Sequence, residues 1–318
     1  MQQNKIICIF GGSGFLGHYI TQELARAGYR IKIASRIPES AYELKTYGNV
    51  GQIVPFQCDY NDPQAVEAAV SGCDGVINLV GILYQKGKKN FKRAHIEIPT
   101  TIAKAAKKNG VKKFIHVSAL GIEKSKSKYA KSKLEGEAAI QKEFPEATIL
   151  RPSVVFGAGD NFFNMFARLA TFLPFLPLIG GGRTKFQPVF VGDVAKAVGN
   201  VMTARDKIFE GQIYELGGPD VMTFKQIYQT LFEVMGRRKK LVSLPWAVAS
   251  IQAFFMGFLP KPLLTVDQVR SLKTDNVVSE EAKKLVDLGI DATAVETILP
   301  KYLSCYRRGG PFSDKKAA

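Results

Sequence analysis

Residues 6–17 have the sequence IICIFGGSGFLG, and this stretch decides the fold. Its first five residues are apolar and predict a buried strand, while the residues that follow predict a helix. Between them, Gly11 allows a tight turn, Gly14 lets a backbone approach a pyrophosphate group, and Gly17 lets the helix pack closely on the strand. The N-terminus of a helix also presents free N–H groups to anions. This strand–turn–helix unit therefore predicts a dinucleotide-binding site, with a glycine-rich turn that binds no ligand as the alternative.

Apolar strands alternate with helical stretches through the first half of the chain. Nearly unbroken apolar strands separated by helices are typical of a parallel sheet covered on both faces. We therefore predict an α/β fold, a Rossmann-type doubly wound parallel sheet, for residues 1–156. The predicted helices lie at 17–27, 63–70, 99–109 and 128–142. The predicted strands lie at 6–10, 31–34, 51–57, 75–80, 113–118 and 148–151, with later ones at 187–191 and 213–216.

The alternation ends about halfway along the chain, where aromatic residues and prolines become frequent. We predict a smaller, mostly helical C-terminal cap domain from residues 157–185 and 218–305. The intervening residues 186–217 are expected to return strands to the main sheet. The polar residues 306–318 predict a disordered tail. Apolar side chains at helical spacing predict part of the cap-domain core, namely Phe162, Phe163, Phe166 and Leu169.

The composition is that of an ordinary soluble globular protein, with 318 residues of which 46% are hydrophobic and 23% charged. It excludes disorder of the whole chain. The four cysteines and three histidines do not fall at the spacings of metal ligands. We therefore expect no bound metal and no disulfide framework, and we expect free thiols in a reducing compartment.

The net charge is +16, because the chain has 44 basic residues and 28 acidic ones. Residues 86–133 hold much of the excess, with 15 basic residues and two acidic ones. Such a field attracts phosphates, nucleotides, nucleic acid or acidic lipid headgroups. A solvated basic face is the alternative. Because no recognition helix or stacking motif for nucleic acid is visible, we expect no nucleic-acid partner.

No targeting segment or membrane span is expected. The first apolar run, residues 6–10, leads straight into glycines, so it predicts a strand and not a signal peptide. The longest uncharged run, residues 241–260, lies between basic residues and contains Pro245 and Pro260. These prolines leave about 14 helical residues, roughly 21 Å, against a bilayer core of ~30 Å. The run is either core or an interfacial helix with Trp246 at the lipid headgroups.

Tyr129 and Lys133 form a Tyr-x-x-x-Lys pair in a predicted helix. Residues four positions apart share a helix face, so both side chains can reach one site. A phenol with a pKa near 10 needs a nearby cation to act as an acid or base at neutral pH. Chance pairing in a lysine-rich stretch is the alternative. Together with the G-x-x-G-x-x-G spacing, the pair resembles the extended and atypical branches of the short-chain dehydrogenase/reductase superfamily.

This resemblance implies roles for the pair and for the strand ends around it. Tyr129 would be the general acid/base, and Lys133 would lower the pKa of Tyr129 and hold the nicotinamide ribose. Asp59, just past the third strand, would contact adenine. The sequences RPSVVFG at 151–157 and PVFVGDVA at 188–195 extend the resemblance into the second half of the chain. The implied dinucleotide contacts are Gly11, Ser13, Gly14, Phe15, Leu16, Arg36, Asp59, Leu79, Val80, Gly81, Val117, Tyr129, Lys133, Pro152 and Val155.

One departure from the superfamily pattern concerns the catalytic hydroxyl. The extended branch places a Ser or Thr two residues after the position of Ser118, where this chain has Leu120. Ser118 lies 11 residues before Tyr129, close to the spacing of the shorter branch, and is the candidate third catalytic residue. If Ser118 does not substitute, Tyr129 lacks a partner to orient a carbonyl, and cofactor binding persists without catalysis.

The end of the second strand bears on the choice of cofactor. NAD enzymes place Asp or Glu there to bind the ribose 2′-hydroxyl. This chain has IASR at 33–36 and no carboxylate before Glu39. Arg36 and Ser35 are expected to hold a 2′-phosphate, so NADP(H) is favoured and NAD(H) is the alternative. An ordinary surface arginine is the competing interpretation of Arg36.

Residues 76–81, 90–91, 113–118 and 144–147 resemble those of a narrower group, the nucleotide-binding accessory subunits of respiratory complex I and their bacterial relatives. The resemblance implies a structurally held NADPH, no established turnover, and complex I subunits as partners. An active NAD(P)-dependent oxidoreductase or epimerase, acting on a quinone precursor or nucleotide-sugar, is the alternative. The implied location is cytoplasmic, with peripheral contact at the inner face of the cytoplasmic membrane.

Overall fold

The computed structural model describes residues 5–87, 90–260, 262–307 and 309–310. Most strands are short, and the longest has six residues. The strands are β1 (Ile6–Phe10), β2 (Arg30–Ser35), β3 (Ile53–Gln57), β4 (Gly75–Asn78), β5 (Lys113–Val117), β6 (Thr148–Pro152), β7 (Val155–Phe156), β8 (Phe175–Ile179), β9 (Lys185–Phe186), β10 (Val189–Phe190), β11 (Ile213–Leu216), β12 (Met222–Thr223) and β13 (Lys240–Leu244).

Seven of these strands form one parallel sheet in the order β11-β6-β5-β4-β1-β2-β3. The chain order reverses between β1 and β4, at the centre of the sheet. In doubly wound sheets, ligands bind outside the carboxyl ends of the strands at such a reversal. The Rossmann-type fold predicted from the sequence is confirmed, and the glycine turn after β1 lies at the expected binding edge.

Helices cover both faces of this sheet. The helices are α1 (Phe15–Arg26), α2 (Pro63–Val70), α3 (Ile98–Lys108), α4 (Lys128–Glu143), α5 (Phe163–Phe172), α6 (Val191–Thr203), α7 (Phe224–Met235), α8 (Trp246–Met256), α9 (Val266–Ser271) and α10 (Val295–Leu303). Alternate residues of β1 point to opposite sides, since Ile7 and Ile9 join the layer of α1 and α6, whereas Cys8 and Phe10 join the layer of α2, α3 and α4.

The two strands predicted to return to the main sheet have different partners. β11 joins the sheet beside β6, as predicted. β10 instead pairs with β7, with Val189 opposite Val155, in a separate two-stranded sheet. The reason is that β11 already occupies the edge of the sheet beside β6, so β10 pairs with the short strand that follows β6. The prediction that residues 187–191 return to the main sheet is therefore wrong.

A second apolar core lies in the C-terminal part of the chain and is built mainly by α5, α7 and α10. Phe163 and Phe166 of α5 are buried in it, and Phe162 and Leu169 pack alongside. Phe166 contacts Tyr228 of α7 with the ring centroids 5.0 Å apart. The core role predicted from the helical spacing of these residues is confirmed.

The uncharged run at 241–260 contains β13 and then the 11-residue helix α8. Ala249 and Ala253 of this helix are buried, but Ile251 and Phe254 are exposed. The run is therefore core in part: Ala249 and Ala253 are buried and half-buried Trp246 packs against them, whereas the other large apolar side chains of α8, apart from half-buried Met256, are exposed. Across the described residues, no helix has the length and apolar character needed to cross a membrane.

Part of the predicted tail at 306–318 packs against the C-terminal core. The hydroxyl of Tyr306 donates to a side-chain oxygen of α5 at 3.1 Å, and Nε of Arg307 donates to a backbone oxygen of α7 at 2.8 Å. The prediction of disorder is therefore wrong for these two residues, because their side chains have partners in the fold. Residues 308 and 311–318 lie outside the described residues.

Candidate functional site

The glycine turn joins the carboxyl end of β1 to the N-terminus of α1. Gly11 has a φ of +78°, a left-handed conformation that residues with a side chain rarely adopt. A Cβ on Gly11 would lie 3.1 Å from the backbone carbonyl carbon of Leu79. A Cβ on Gly17 would lie only 2.1 Å from the backbone oxygen of Gly12. The turn itself therefore requires glycine at both positions.

Gly14 is different, because it is exposed and its own backbone does not require glycine. Its φ of −88° and ψ of 175° are extended values that any residue adopts. A Cβ there would have one neighbour within 4 Å, the backbone oxygen of Gly11 at 3.3 Å. The N–H groups of Phe15 and Leu16 lie in the first turn of α1, where no acceptor exists within the helix. The open space beside Gly14 therefore faces the positive end of α1.

A cleft of about 560 Å³ opens beside this turn. Ser13, Gly14 and Phe15 line one side of it, with Tyr47 and Gly159 among the other residues of its wall. Small-molecule sites in proteins commonly have volumes of ~300–1,000 Å³. The cleft therefore has room for a phosphate-bearing ligand at the N-terminus of α1.

The loop after β4 is held against the glycine turn by its backbone. The N–H of Leu79 donates to the last backbone oxygen of β1 at 2.9 Å, and the N–H of Val80 donates to Oδ1 of Asn78 at 3.0 Å. A Cβ on Gly81 would lie 3.5 Å from Nζ of Lys133. The three loop residues predicted to line the dinucleotide thus lie between the glycine turn and the predicted catalytic lysine.

The ends of β2 and β3 bring Arg36 and Tyr60 together beside the turn. The Tyr60 hydroxyl donates to the backbone oxygen of Ala34 at 2.6 Å and accepts the N–H of Gly11 at 3.3 Å. The exposed Arg36 guanidinium lies over the Tyr60 ring, 5.8 Å from its centroid. No acidic side chain pairs with Arg36 within the described residues. A free guanidinium in this position can bind a phosphate group.

Two predicted neighbours of this site have engaged polar atoms. The Ser35 hydroxyl donates to the backbone oxygen of Ile37 at 2.9 Å, so it holds the local turn. The role expected for Ser35 stays a prediction, since its hydroxyl would have to serve the turn and a phosphate together. Asp59 is exposed, and its Oδ1 accepts the backbone and side-chain N–H groups of Asn61 at 3.0 and 2.7 Å. These bonds fix Asp59 at the end of β3.

Helix α4, which carries Tyr129 and Lys133, is capped by a distant part of the chain. Ser127 accepts a backbone N–H of the first turn at 3.1 Å. The Asp267 carboxylate of α9 accepts the backbone N–H groups of Lys128 and Tyr129 at 2.8 and 2.9 Å. A carboxylate is favourable at a helix N-terminus because it neutralises the positive end of the dipole. The C-terminal region therefore fixes the start of α4.

In the Tyr-x-x-x-Lys pair, Lys133 is buried and Tyr129 is half-buried. Nζ of Lys133 donates to the backbone oxygen of Val117 at 3.2 Å, and burial lowers the pKa of Lys133 to about 8, against the opposing effect of Glu137. The Tyr129 ring packs perpendicular to His95 at 5.3 Å, and burial raises the pKa of Tyr129 to about 12. The lowered Tyr129 pKa implied by the resemblance is therefore not found in this state.

The structure confirms the departure seen in the sequence, where Leu120 stands at the position of the extended branch's catalytic Ser or Thr. Leu120 is buried and supplies no hydroxyl. The Ser118 hydroxyl is also buried, and within the described part of the chain it has no hydrogen-bond partner. A buried polar group without a partner costs about 1–3 kcal/mol, so such groups normally find one. The unpaired Ser118 hydroxyl fits a site that a polar ligand completes.

Pro152 ends β6 and Val155 begins β7, at the same edge of the sheet. The backbone oxygen of Pro152 accepts the N–H of Leu120 at 2.9 Å, and half-buried Val155 packs against the core of the main sheet. The preceding Arg151 forms a buried ion pair with Glu137 of α4, with Nη2 and Oε2 2.6 Å apart. This pair ties the end of β6 to the helix that carries Tyr129 and Lys133.

Three residues that the sequence did not indicate also position the site, namely Asn78, His95 and Asp267. His95 accepts the N–H of Ile82 at 3.1 Å through Nε2, and its Nδ1 lies 2.8 Å from the Ser132 hydroxyl. Burial lowers the pKa of His95 to about 3, so its ring is neutral and can accept. Asn78 lies inside the predicted strand at 75–80 and in the stretch 76–81 that carries the resemblance, so it could have been singled out. His95 and Asp267 belong to no recognisable pattern.

His116 is the core histidine that its place in an apolar strand predicts. It is fully buried, and its Nδ1 lies 3.0 Å from Nδ2 of Asn78. The side-chain oxygen of Asn78 already accepts a backbone N–H, so the Asn78 amide donates to the His116 ring. Burial lowers the pKa of His116, which keeps the ring neutral.

These groups fit a nicotinamide dinucleotide in composition and order. A helix N-terminus that favours phosphate lies at the centre of the sheet edge, with the free Arg36 guanidinium on one side. On the other side lie the Lys133 ammonium and the unpaired Ser118 hydroxyl. The arrangement can therefore bind a ligand that has anionic groups at its centre and a polar group at each end.

The sequence of the chain matches known proteins over most of its length. Residues 7–217 match the NAD dependent epimerase/dehydratase family. The chain is 36% identical to NADH dehydrogenase (ubiquinone) 1 alpha subcomplex subunit 9 of Arabidopsis thaliana, over 96% of this chain and 79% of that protein. Its identity with the subunit of the same name from Rattus norvegicus is 34%, over 92% of this chain and 78% of that protein.

The structure also resembles solved reductases. The Escherichia coli NADPH-dependent quinone oxidoreductase in complex with NADPH has a TM-score of 0.74 and 23% identity, covering 92% of this chain and 97% of that one. At this identity the likeness establishes the shared fold alone. The family match and the curated relatives go further, and they establish that the chain belongs to the NAD dependent epimerase/dehydratase family and is a relative of complex I alpha subcomplex subunits.

Proposed function

We propose that this chain is an NADP(H)-binding accessory protein of respiratory complex I that supports the complex or its assembly, with weak or no catalysis of its own. The observation that carries the proposal is the 36% identity with a complex I subunit over 96% of the chain. The match includes the C-terminal core as well as the nucleotide-type sheet. It therefore goes beyond the Rossmann fold, which hosts many unrelated functions.

In this proposal the two parts of the chain have different roles. Residues 1–156, completed by β11, hold the dinucleotide, and residues 157–185 and 218–305 form a cap on the substrate or partner side. The pyrophosphate is bound by the turn from Gly11 to Leu16, including Ser13, and Lys133 holds the nicotinamide ribose. Asp59 faces adenine. The remaining walls of the site are Leu79, Val80, Gly81, Val117, Pro152 and Val155.

A dinucleotide bound here would supply hydride-transfer chemistry, and the chain's own residues would orient it and control protons. The Lys133 side chain is held at the edge of the sheet, because its Nζ donates to the backbone oxygen of Val117. Tyr129 is a poor acid/base in this state, because burial raises its pKa to about 12. Leu120 supplies no hydroxyl to polarise a carbonyl. These features support retention of a dinucleotide without efficient turnover.

Arg36 supports the preference for NADP(H) over NAD(H). Its guanidinium is exposed, has no acidic partner within the described residues, and stacks over Tyr60 at the end of β2. Each charge-assisted hydrogen bond to a 2′-phosphate would be worth ~1.5–3 kcal/mol. We expect Arg36→Ala to weaken NADPH binding by about tenfold or more and to leave NADH binding nearly unchanged, as measured by calorimetry. Equal losses for both cofactors would refute the assignment.

The proposed location is the cytoplasm, at the inner face of the cytoplasmic membrane, where a complex I partner would hold the chain. Its support is the relationship to complex I subunits together with the basic character of the chain. A cationic surface favours the anionic side of a membrane.

Co-purification tests the accessory function. The full chain, carrying an affinity tag, would be isolated from membranes in a mild detergent, and its companions identified by mass spectrometry. We expect core subunits of complex I and NADH–quinone oxidoreductase activity in the eluate. A tagged, unrelated Rossmann reductase from the same cells is the control. Isolation of the chain without any complex I subunit would contradict the proposal.

The unpaired Ser118 hydroxyl favours a second candidate, an active oxidoreductase or epimerase on a small substrate. In that case Ser118 would orient the substrate and Tyr129 would transfer the proton. We expect Tyr129→Phe to abolish turnover of quinone precursors or nucleotide-sugars while dinucleotide binding persists. Two results would leave the accessory function as the better explanation. One is turnover by the wild type that the variant retains, and the other is a wild type that turns over neither quinone precursors nor nucleotide-sugars.

A further inference from the structure

Helix α8 buries two alanines and exposes most of its large side chains, while Trp246 and Met256 are half-buried. Ala249 and Ala253 are buried in a cluster with Val269 of α9. On the opposite side, Ile251 and Phe255 are 60% and 65% exposed. A helix in a soluble domain normally turns its bulky apolar residues toward the core. The outward side of α8 therefore has no apolar partner within the described part of the chain.

The exposed surface continues past the end of the helix as a cluster of aromatic rings. Phe254 contacts Phe255 and Phe258, with ring centroids 5.6 and 5.5 Å apart. Phe258 is 72% exposed. Contiguous exposed apolar surface marks an interaction site. We call this surface the α8 face and define it by Val248, Ile251, Phe254, Phe255, Phe258 and Leu259.

Lysines lie at both ends of the α8 face. In the sequence, residues 237–266 contain five basic residues and no acidic one. From the N-terminal half of the chain, Lys86 reaches the backbone oxygens of Phe258 and Leu259 with its Nζ. At the other end of the helix, Lys273 lies 5.7 Å from the centroid of the tryptophan ring that begins α8. The apolar surface therefore has a cationic rim at both ends.

The basic stretch at 86–133 adds to this rim only in part. Three lysines of α3 form ion pairs with acidic side chains and are neutralised. The lysines before and at the start of α4 are exposed and have no ion pair in the described ranges. The last of them, Lys128, lies beside α9, because Asp267 accepts its backbone N–H at 2.8 Å, and α9 packs against α8. These free lysines are Lys124, Lys126 and Lys128.

We propose that the α8 face docks on a lipid bilayer that contains anionic headgroups, with the helix lying flat in the interface. Binding to a membrane surface grows with the apolar area that enters the interface and with the attraction of nearby cations to anionic lipids, and the α8 face and its flanking lysines supply both. Protein interfaces, in contrast, are depleted in lysine. With 11 residues, α8 is about 16 Å long, far too short to span a hydrocarbon core of ~30 Å. Its phenylalanines enter the acyl boundary, while the surrounding lysines meet lipid phosphates.

This inference deepens the membrane-side location in the proposed function and rests on that location for its cellular setting. Vesicle binding, however, requires no complex I subunit and no dinucleotide. A failed co-purification and a failed vesicle assay are therefore separate results. The first would contradict the accessory function, and the second would overturn the lipid-docking surface.

Trp246 makes the test direct, because it is the only tryptophan of the chain and the first residue of α8. The full chain would be mixed with vesicles of phosphatidylcholine, alone or with phosphatidylglycerol, that carry bromine atoms on their acyl chains. Bromine quenches tryptophan at close range. We expect quenching and co-flotation with the anionic vesicles only, and release by salt because salt screens the charges. Each basic residue at the surface should contribute about fivefold to the partition coefficient.

The variant that tests the surface is the double substitution Phe254→Ser and Phe255→Ser. It removes two exposed rings and leaves the buried alanine side of α8 intact, so the fold should survive. We expect the partition into anionic vesicles to fall by about tenfold or more. Ile208→Ser is the matched control, because Ile208 is 63% exposed but lies outside the α8 face. Its binding should equal that of the wild type.

Three results would overturn the proposal. The first is equal partition of the wild type and the double variant. The second is binding that ignores both lipid charge and salt. The third is a wild-type chain that binds no vesicle of either composition, which would mean that protein covers the α8 face.

Discussion

Gly14→Val separates dinucleotide binding from folding. The backbone of Gly14 is extended and suits valine, and a Cβ would touch one atom, the backbone oxygen of Gly11 at 3.3 Å. The valine methyl groups would extend about 1.5 Å further, into the open space where the N-terminus of α1 faces the cleft. The substitution therefore fills the proposed pyrophosphate position and leaves the turn in place.

The expected magnitudes follow from these contacts. Gly14 is the N-cap of α1 and makes no side-chain cap bond, so valine should lower the free energy of unfolding by about 1 kcal/mol. Binding should suffer more, because the blocked N–H groups would each make a charge-assisted bond worth ~1.5–3 kcal/mol. Loss of two such bonds corresponds to a weakening of roughly 100-fold to 10,000-fold.

The assay is calorimetric titration of NADPH into the purified wild type and variant, with thermal unfolding measured on both. Gly17→Ala is the contrasting control, since its Cβ would lie 2.1 Å from the backbone oxygen of Gly12 and should disrupt the fold itself. If Gly14→Val unfolds like the wild type and still binds NADPH with wild-type affinity, the glycine turn is not the binding site.

Three further predictions concern the groups behind the site. Burial lowers the pKa of Lys133 to about 8, so its ammonium is lost as the pH rises through that value. Dinucleotide affinity should therefore fall between about pH 7 and 9, and a wild-type profile as flat as that of Lys133→Gln would contradict a charged ribose contact. Asp267→Ala should lower the unfolding free energy by about 1 kcal/mol and speed hydrogen exchange at the N–H of Tyr129. An unchanged exchange rate at this N–H would show that Asp267 does not stabilise the start of α4. Glu137→Leu should cost about 3–5 kcal/mol in a denaturant titration, because buried Arg151 loses its main partner. A loss below about 1 kcal/mol would show that the other acidic neighbours suffice.

The parts of the fold that could be predicted from the sequence are those with local causes. β1 is an unbroken apolar run, and the glycines after it meet a steric demand that is visible at Gly11 and Gly17. The helical spacing of Phe163 and Phe166 is also a local pattern, and it indicated that both side chains lie on a buried face of a helix. In each case, neighbouring residues carry the whole signal.

The rest depends on contacts between distant residues. Asp267 caps a helix that begins 139 residues earlier, and no local pattern marks it for that role. The bond between the Ser35 hydroxyl and the backbone of the following turn could likewise not be seen in the sequence. The raised pKa of Tyr129 follows from burial, which the Tyr-x-x-x-Lys spacing does not describe. Helix α8 has apolar residues on every side, so its sequence could not predict which side packs against the rest of the protein.

The nucleotide content of the protein tests the central claim most directly. The full chain would be purified without added cofactor and denatured, and the released nucleotides would be identified and counted by mass spectrometry. The account predicts NADP(H) in near-stoichiometric amounts in the wild type, and its loss in Gly14→Val. A wild-type chain that releases no dinucleotide, or one that releases mainly NAD(H), would contradict it.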